Sequence, residues 1–229
     1  LCVLKGGIKS IMIFYYIRHG DPIYNPDDLT PLGSRQAEAL AKRLALYEVD
    51  KIYSSTSNRA VMTARPACEL LKLEPELLEF AHEQLVWEEL TIPKEDGTGV
   101  TWLFQQRQAL AILSSKETRD LGHHWYEHPE LAKYHYEKGI DRIYNETDDF
   151  FHNLGYEHDR YSGKYKVIKP NDQRIALFAH QGFGLAFLSC VLDIPYSMFC
   201  THFDMCHSGF TAIEFSENDG YAILNRRCK

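Results

Sequence analysis

Two apolar runs, each ending at a histidine with a glycine close behind, constrain this chain more than any other feature. Met12 to Ile17 reads M-I-F-Y-Y-I and passes directly into Arg18-His19-Gly20, and Arg174 to Ala179 reads R-I-A-L-F-A and passes into His180-Gln181-Gly182. Runs this short, β-favouring and without polar alternation fit strands buried on both faces of a mostly parallel sheet. In open α/β sheets ligands bind beyond the carboxyl ends of the strands, which is where both histidines fall. Gly20 and Gly182 lack the Cβ that would hold a ligand away from the backbone.

The residues between supply helices. Thr30-Pro31 is a hydroxyl cap followed by proline at the first helical position, and Ala37, Leu40, Ala41 and Leu44 then form one apolar face. Lys51 to Ser54 reads as a second strand, Ser57 to Leu71 as a second helix, and Phe183 to Leu192 as the helix after His180. Thr211 to Phe215 and Tyr221 to Asn225 read as a closing hairpin. The stretch from Pro93 to about Gly155 is richer in aromatics and histidines; it is expected to be helical over Trp102 to Lys116 and Pro129 to Leu154, and to form a cap insertion. The pattern predicts a single α/β domain over 1–229, a three-layer sandwich with a mostly parallel central sheet flanked by helices, plus this helical cap at about 93–155. Met12 opens the first strand, so Leu1 to Ile11 are left outside the fold and given no function.

Composition narrows the function classes. The formal charge of −7 argues against a nucleic-acid binder, so an anionic ligand must meet a local basic cluster, for which Arg18 and Arg59 beside the histidines are the candidates. Six cysteines are too sparse for a disulfide-stapled secreted domain and read as free thiols in a reducing, cytoplasmic setting. No run approaches the roughly 20 apolar residues of a membrane span, and no signal peptide is expected at Leu1 to Ser10. Cys200, His202, Cys206 and His207 match no paired-ligand zinc spacing, and His123, His124 and His128 have no spacing that turns all three toward one point. No metal or other cofactor is expected, and the oligomeric state is not legible.

At these residues the chain resembles the histidine phosphatase superfamily, the phosphoglycerate-mutase-like family. The family's R-H-G-E-T-x-x-N signature is met by Arg18-His19-Gly20-Asp21-Pro22-Ile23-Tyr24-Asn25, with Asp21 and Pro22 replacing the usual pair. Its L-T-x-x-G-x-x-Q-A segment is met by Leu29 to Ala37, its S-x-x-x-R-A-x-x-T-A segment by Ser55 to Ala64, and its second histidine by His180 before Gln181-Gly182. The resemblance covers the first third and the last quarter of the chain, not the middle. It implies that His19 is a nucleophile attacking phosphorus, that Arg18, Arg59 and His180 bind the phosphoryl oxygens, and that Asn25, Gly20 and Gln181 add substrate contacts. A general acid is also implied, because an alkoxide leaves poorly. In the family it is a Glu two places after an apolar residue; Glu89 fits the apolar phase of Trp87, Leu90 and Ile92 and Glu88 is the alternative.

The function implied is hydrolysis of a small organic phosphate ester through a phosphohistidine, without metal, nucleic acid or membrane. Two alternatives stand beside it: phosphoglycerate-mutase-type transfer, which calls for extra basic residues in the insert, and a non-catalytic phospho-ligand module. A zinc hydrolase built on the His123 region predicts stoichiometric metal.

Overall fold

The computed structural model describes residues 10–227. The expectation for Leu1 to Lys9, and the thiols Cys2 and Cys228, lie outside the described residues. In chain order the elements are β1 (Ile11–Arg18), β2 (Pro22–Ile23), β3 (Asp28–Leu29), α1 (Pro31–Leu46), β4 (Lys51–Ser55), α2 (Asn58–Leu71), β5 (Glu76–Leu78), α3 (Glu83–Glu89), β6 (Thr91–Pro93), β7 (Val100–Trp102), α4 (Arg107–Leu113) and α5 (Lys116–Leu121). They continue with α6 (Glu137–Asn153), β8 (Tyr156–Asp159), β9 (Lys164–Val167), β10 (Arg174–Ala179), α7 (Gln181–Val191), α8 (Tyr196–His202), β11 (Phe210–Asn218) and β12 (Tyr221–Arg227).

One mixed sheet runs β5-β4-β10-β1-β11-β12-β9-β8. Its first four strands are parallel and carry the site; from β11 onward the pairing is antiparallel. β1 shows why the middle of the sheet is buried on both faces. Ile13, Tyr15 and Ile17 point one way, onto Leu40 and Leu44 of α1 and Ala64 and Ala67 of α2. Met12, Phe14 and Tyr16 point the other way, onto Phe150 and Phe151 of α6 and Phe183 and Phe187 of α7. This two-residue alternation puts helices on both faces and makes three layers. A fully buried Phe or Leu contributes on the order of 2 kcal/mol relative to exposure, so the layers are held chiefly by this stripe of large side chains.

The middle of the chain departs from expectation. Trp102 ends a strand rather than opening a helix, Leu103–Gln105 is a single 3₁₀ turn, and the helix expected from Pro129 starts only at Glu137. Ile11, left outside by the sequence reading, pairs with Ser216 as the first residue of β1. Trp125, Leu131 and Tyr136 lie in the same apolar cluster as Phe14 and Phe187. Aromatic content marked that stretch correctly as buried, but burial in irregular backbone leaves no periodicity to read.

Candidate active site

β10 lies between β4 and β1, and the register sets Arg18 opposite Ala179 and Ser54 opposite Phe178. Three parallel strands therefore end at one edge, bringing His19, His180 and Ser55 together. The helix caps fix what surrounds them. The Thr30 hydroxyl accepts from Gly33 N at 3.0 Å and donates to Asp21 Oδ2 at 2.7 Å, so the predicted cap of α1 also holds the loop after His19. Ser57 makes no side-chain cap for α2; Asp27 does so from the loop between β2 and β3, accepting from Asn58 N at 2.8 Å. The other oxygen of Asp27 is 2.7 Å from Arg59 Nη1, so one carboxylate caps the helix and aims the arginine.

His19 is buried, and its Nδ1 lies 2.7 Å from the Gly20 carbonyl oxygen. A carbonyl can only accept, so Nδ1 carries the proton and Nε2 keeps a lone pair. Burial, with Arg59, Arg18 and His207 adding to it, lowers the His19 pKa to about 3, against the opposing pull of the Gly20 carbonyl. The ring is neutral at ordinary pH, with the Nε2 lone pair free. Its neighbour His180 is buried 5.2 Å away between ring centroids. Arg59 Nη2 donates to His180 Nδ1 at 3.1 Å, which leaves the proton on Nε2, 2.8 Å from Ser55 Oγ. Burial, then Arg59 and His19, push the His180 pKa well down, so this ring too is neutral. Tyr16 donates to the His180 carbonyl at 2.6 Å and fixes its backbone.

Arg18, His19, Arg59, Glu83 and Gln181 line one cavity of about 530 Å³. The Nε atoms of Arg18 and Arg59 are buried without a hydrogen-bond partner, leaving donors suited to the oxygens of an anion. His180 does not line this cavity; it stands behind Arg59. Asn25 does not line it either: it is exposed, and Tyr24 beside it faces the cavity, with Arg59 5.5 Å above its ring. Gly20 and Gly182 admit protein rather than ligand. A Cβ on Gly20 would stand 2.7 Å from the Gly33 carbonyl oxygen, and one on Gly182 2.5 Å from the Trp102 ring, which forms a cavity wall.

The structure brings neither expected acid to the cavity. Glu89 is paired with Arg142 at 2.7 and 2.6 Å, and Glu88 is exposed and accepts from Gln84. The carboxyl group at the cavity is Glu83, whose oxygens accept from Gly182 N at 2.9 Å and Phe183 N at 3.0 Å at the start of α7. Burial raises its pKa, opposed by those two backbone donors and by Arg59 and Arg18. Glu83 stands two places after apolar Ala81, the spacing the resemblance asks for, and this was the available sequence signal. His207 was also missed: its ring lies 5.5 Å from that of His19 and its Nδ1 3.4 Å from Asp21 Oδ1.

No metal trio forms here among the described residues, since Asp21, Asp27 and Glu83 are each engaged as above. His123, His124 and His128 diverge, toward Asp193, Glu127 and the Glu130 amide respectively. Cys68, Cys190, Cys200 and Cys206 are free thiols. No helix among the described residues is long and apolar enough to cross a membrane.

Two neutral histidines and two arginines at the carboxyl edge of the parallel strands of an α/β fold make a site suited to an oxyanion. Residues 14–119 match the model of the histidine phosphatase superfamily, branch 1. Over that segment, which holds Arg18, His19 and Arg59, the chain is similar to this superfamily. No curated protein sequence matches it. Among solved structures it is similar in fold to the Entamoeba histolytica phosphoserine phosphatase in complex with 3-phosphoglyceric acid, at 19% identity and TM-score 0.58, over 95% of this chain and 98% of that one. It is also similar to a putative alpha-ribazole-5'-P phosphatase from Escherichia coli, at 18% identity and TM-score 0.54, over 95% and 96%. A third likeness is to a mycobacterial glucosyl-3-phosphoglycerate phosphatase in complex with VO3, at 17% identity and TM-score 0.53, over 96% and 98%.

Proposed function

We propose that this protein is a phosphomonoesterase that works by double displacement through a phosphohistidine on His19. The observation that carries this reading is the state of His19: buried, neutral, and held by the Gly20 carbonyl in the tautomer that leaves Nε2 free beside two arginines. Nε2 attacks phosphorus and the bond to the ester oxygen breaks. Glu83, whose raised pKa favours the protonated form, gives its proton to the departing oxygen. Water, losing a proton to the same carboxylate, then attacks phosphorus and breaks the P–N bond. Arg18 and Arg59 neutralise the phosphoryl oxygens throughout, the service a metal ion gives elsewhere, and one such donor commonly contributes about 3 kcal/mol to lowering the barrier. Asp27 and His180 act through Arg59 as positioning residues.

Three solved structures of similar fold are phosphatases, one of them a putative one, which supports hydrolysis. Apart from histidines, the cationic side chains lining the cavity are Arg18 and Arg59, and both are committed to one phosphoryl group. This favours hydrolysis over mutase transfer, which must also hold a bisphosphate. The remaining walls are Tyr24, His82, Trp87 and Trp102 with the amides of Gln84 and Gln105, mostly aromatic and amide surface, so the preferred alcohol carries an uncharged, partly apolar group. Residues 93–155 contribute as a cap through Trp102 and Gln105. The free thiols accord with a cytoplasmic setting.

The test is mass spectrometry of acid-labile phosphate after brief incubation with p-nitrophenyl phosphate. A phosphoryl group on His19, absent from His19→Ala, is the expected result. Turnover that persists in His19→Ala overturns the mechanism. In a substrate panel, phosphoserine and 3-phosphoglycerate should be poorer than phosphates of uncharged alcohols; the reverse order overturns the substrate class.

A further inference from the structure

Three elements converge on a second cluster that shares no residue with the lining of the phosphoryl cavity. Asp148 of α6, His158 of β8 and Cys190 of α7 each offer one ligand atom, and these atoms all lie within 4.8 Å of one another. Asp148 Oδ1 is 2.8 Å from His158 Nδ1 and 3.6 Å from Cys190 Sγ. The other oxygen of Asp148 accepts from Arg160 Nε at 2.6 Å, which fixes the carboxylate plane. The His158 ring is stacked on Tyr165 with centroids 4.3 Å apart and planes 4° from parallel. Its side chain is 1% exposed, yet its Nε2 has no hydrogen-bond partner. With Nδ1 turned to Asp148, Nε2 faces the far side of the ring, so a metal on Nδ1 would leave the ring proton on Nε2. A cavity of about 370 Å³ is lined by His158 and Arg160, though not by Asp148 or Cys190, and so borders the cluster on its His158 side.

We propose that Asp148, His158 and Cys190 form a structural metal site that takes zinc. Tetrahedral zinc with one sulfur and two lighter ligands sets its ligand atoms about 3.3–3.6 Å apart. The Cys190 to Asp148 separation already meets this, and the Asp148 to His158 pair has only to open from its present hydrogen bond. Thiolate, imidazole and carboxylate together select zinc over magnesium or calcium, which take oxygen ligands. On coordination the thiol proton leaves to solvent and the metal–sulfur bond replaces the contact from Cys190 to Asp148. Arg160 then stands behind the liganding carboxylate as the partner that orients it. The fourth position is left to water on the cavity side. The ion would tie β8 and α6 to α7, the helix whose first amides hold Glu83, and so would stabilise the fold without entering the reaction.

The full-length protein, stripped with a chelator and dialysed, is titrated with Co²⁺ and then Zn²⁺ while absorption, bound metal by elemental analysis and thermal midpoint are followed. One ion per chain, a thiolate-to-cobalt charge-transfer band displaced by Zn²⁺, and a rise in midpoint of about 5–10 °C at a hundredfold excess over Kd are expected. The band should survive Cys206→Ser, which removes an exposed thiol, and vanish in Cys190→Ser. Should Cys190→Ser not fold, Asp148→Asn keeps the packing and should weaken binding at least about tenfold. Turnover of p-nitrophenyl phosphate near 25 °C should be unchanged by the chelator and by Asp148→Asn. Absence of stoichiometric metal in the wild type, a band unchanged in Cys190→Ser, or a Co²⁺ affinity unchanged in Asp148→Asn overturns the proposal.

Discussion

Glu83→Gln separates proton donation from the rest of the site. The carboxyl group accepts from Gly182 N and Phe183 N. An amide of the same shape keeps one acceptor oxygen and turns its NH₂ toward the other donor, leaving one backbone N–H unsatisfied at a cost of about 1–3 kcal/mol. In a chain of this size that lowers the thermal midpoint by roughly 2–10 °C, so the variant remains folded at assay temperature. Loss of a general acid costs about 10²–10⁴ in kcat/KM for an alkyl phosphate. Nitrophenolate needs little protonation, so p-nitrophenyl phosphate should lose no more than about tenfold on the same grounds. The pH profile gives a second reading. In the wild type, activity should fall on the acid side as His19 gains a proton at about 3, and on the alkaline side as Glu83 ionises above the ordinary carboxyl range. In Glu83→Gln the acid limb should stay and the alkaline limb should go; titration of the substrate is common to both proteins and cancels in the comparison. Steady-state kinetics on the two substrates from pH 3 to 8, about the span of these groups, are the assay. Equal losses on both substrates, a surviving alkaline limb, or the same behaviour in Glu88→Gln would refute the assignment.

Asp27→Asn should lower kcat/KM by about tenfold by slackening Arg59, and should cost about 1 kcal/mol of stability by weakening the cap of α2; kinetics and urea unfolding check the two separately. Gly182→Ala drives a methyl group into the Trp102 ring, so KM for substrates with an apolar alcohol should rise several-fold with kcat less affected. Stability should also depend on pH with a definite sign. Because the His19 pKa is depressed on folding to about 3, the unfolded chain binds the extra proton between about 3 and 6.5, and stability present above 6.5 is lost as pH falls through that window. The slope is up to about 1.4 kcal/mol per pH unit from His19, with His180 shifted the same way and Glu83, raised on folding, opposing them just above the ordinary carboxyl range. Urea midpoints from pH 4 to 7, about the window of these shifts, should therefore be flatter for His19→Asn than for the wild type, and equal slopes would count against the buried neutral state.

What could be read in the sequence is what local chemistry decides. Met12 to Ile17 and Arg174 to Ala179 are too apolar to be anything but central strands, and the Thr30 cap is a feature of adjacent residues. Histidines placed directly after those strands must fall at one sheet edge once the strands pair in parallel, so His19, His180 and Arg59 could be put together before any coordinates. The helix expected from Pro129 failed for the opposite reason. Trp125, Leu131 and Tyr136 are buried by tertiary packing of 3₁₀ turns and loops, and a one-dimensional pattern reports apolarity there without reporting backbone geometry.

The proposed acid falls between these extremes. Glu83, Glu88 and Glu89 lie on a single short helix, and composition alone offers no reason to prefer one. What selects Glu83 is a pair of amides about a hundred residues downstream, exposed because α7 begins at Gln181 and its first N–H groups have no partner within the helix. What removes Glu89 is Arg142, on a helix beyond the irregular stretch. The same holds for Asp148, His158 and Cys190, which share no spacing and meet only because α6 and α7 pack across the sheet face next to β8. The proposed phosphoryl site is thus written into strand ends, whereas the proposed proton donor and the second cluster depend on which helices touch, and only the packed chain reveals that.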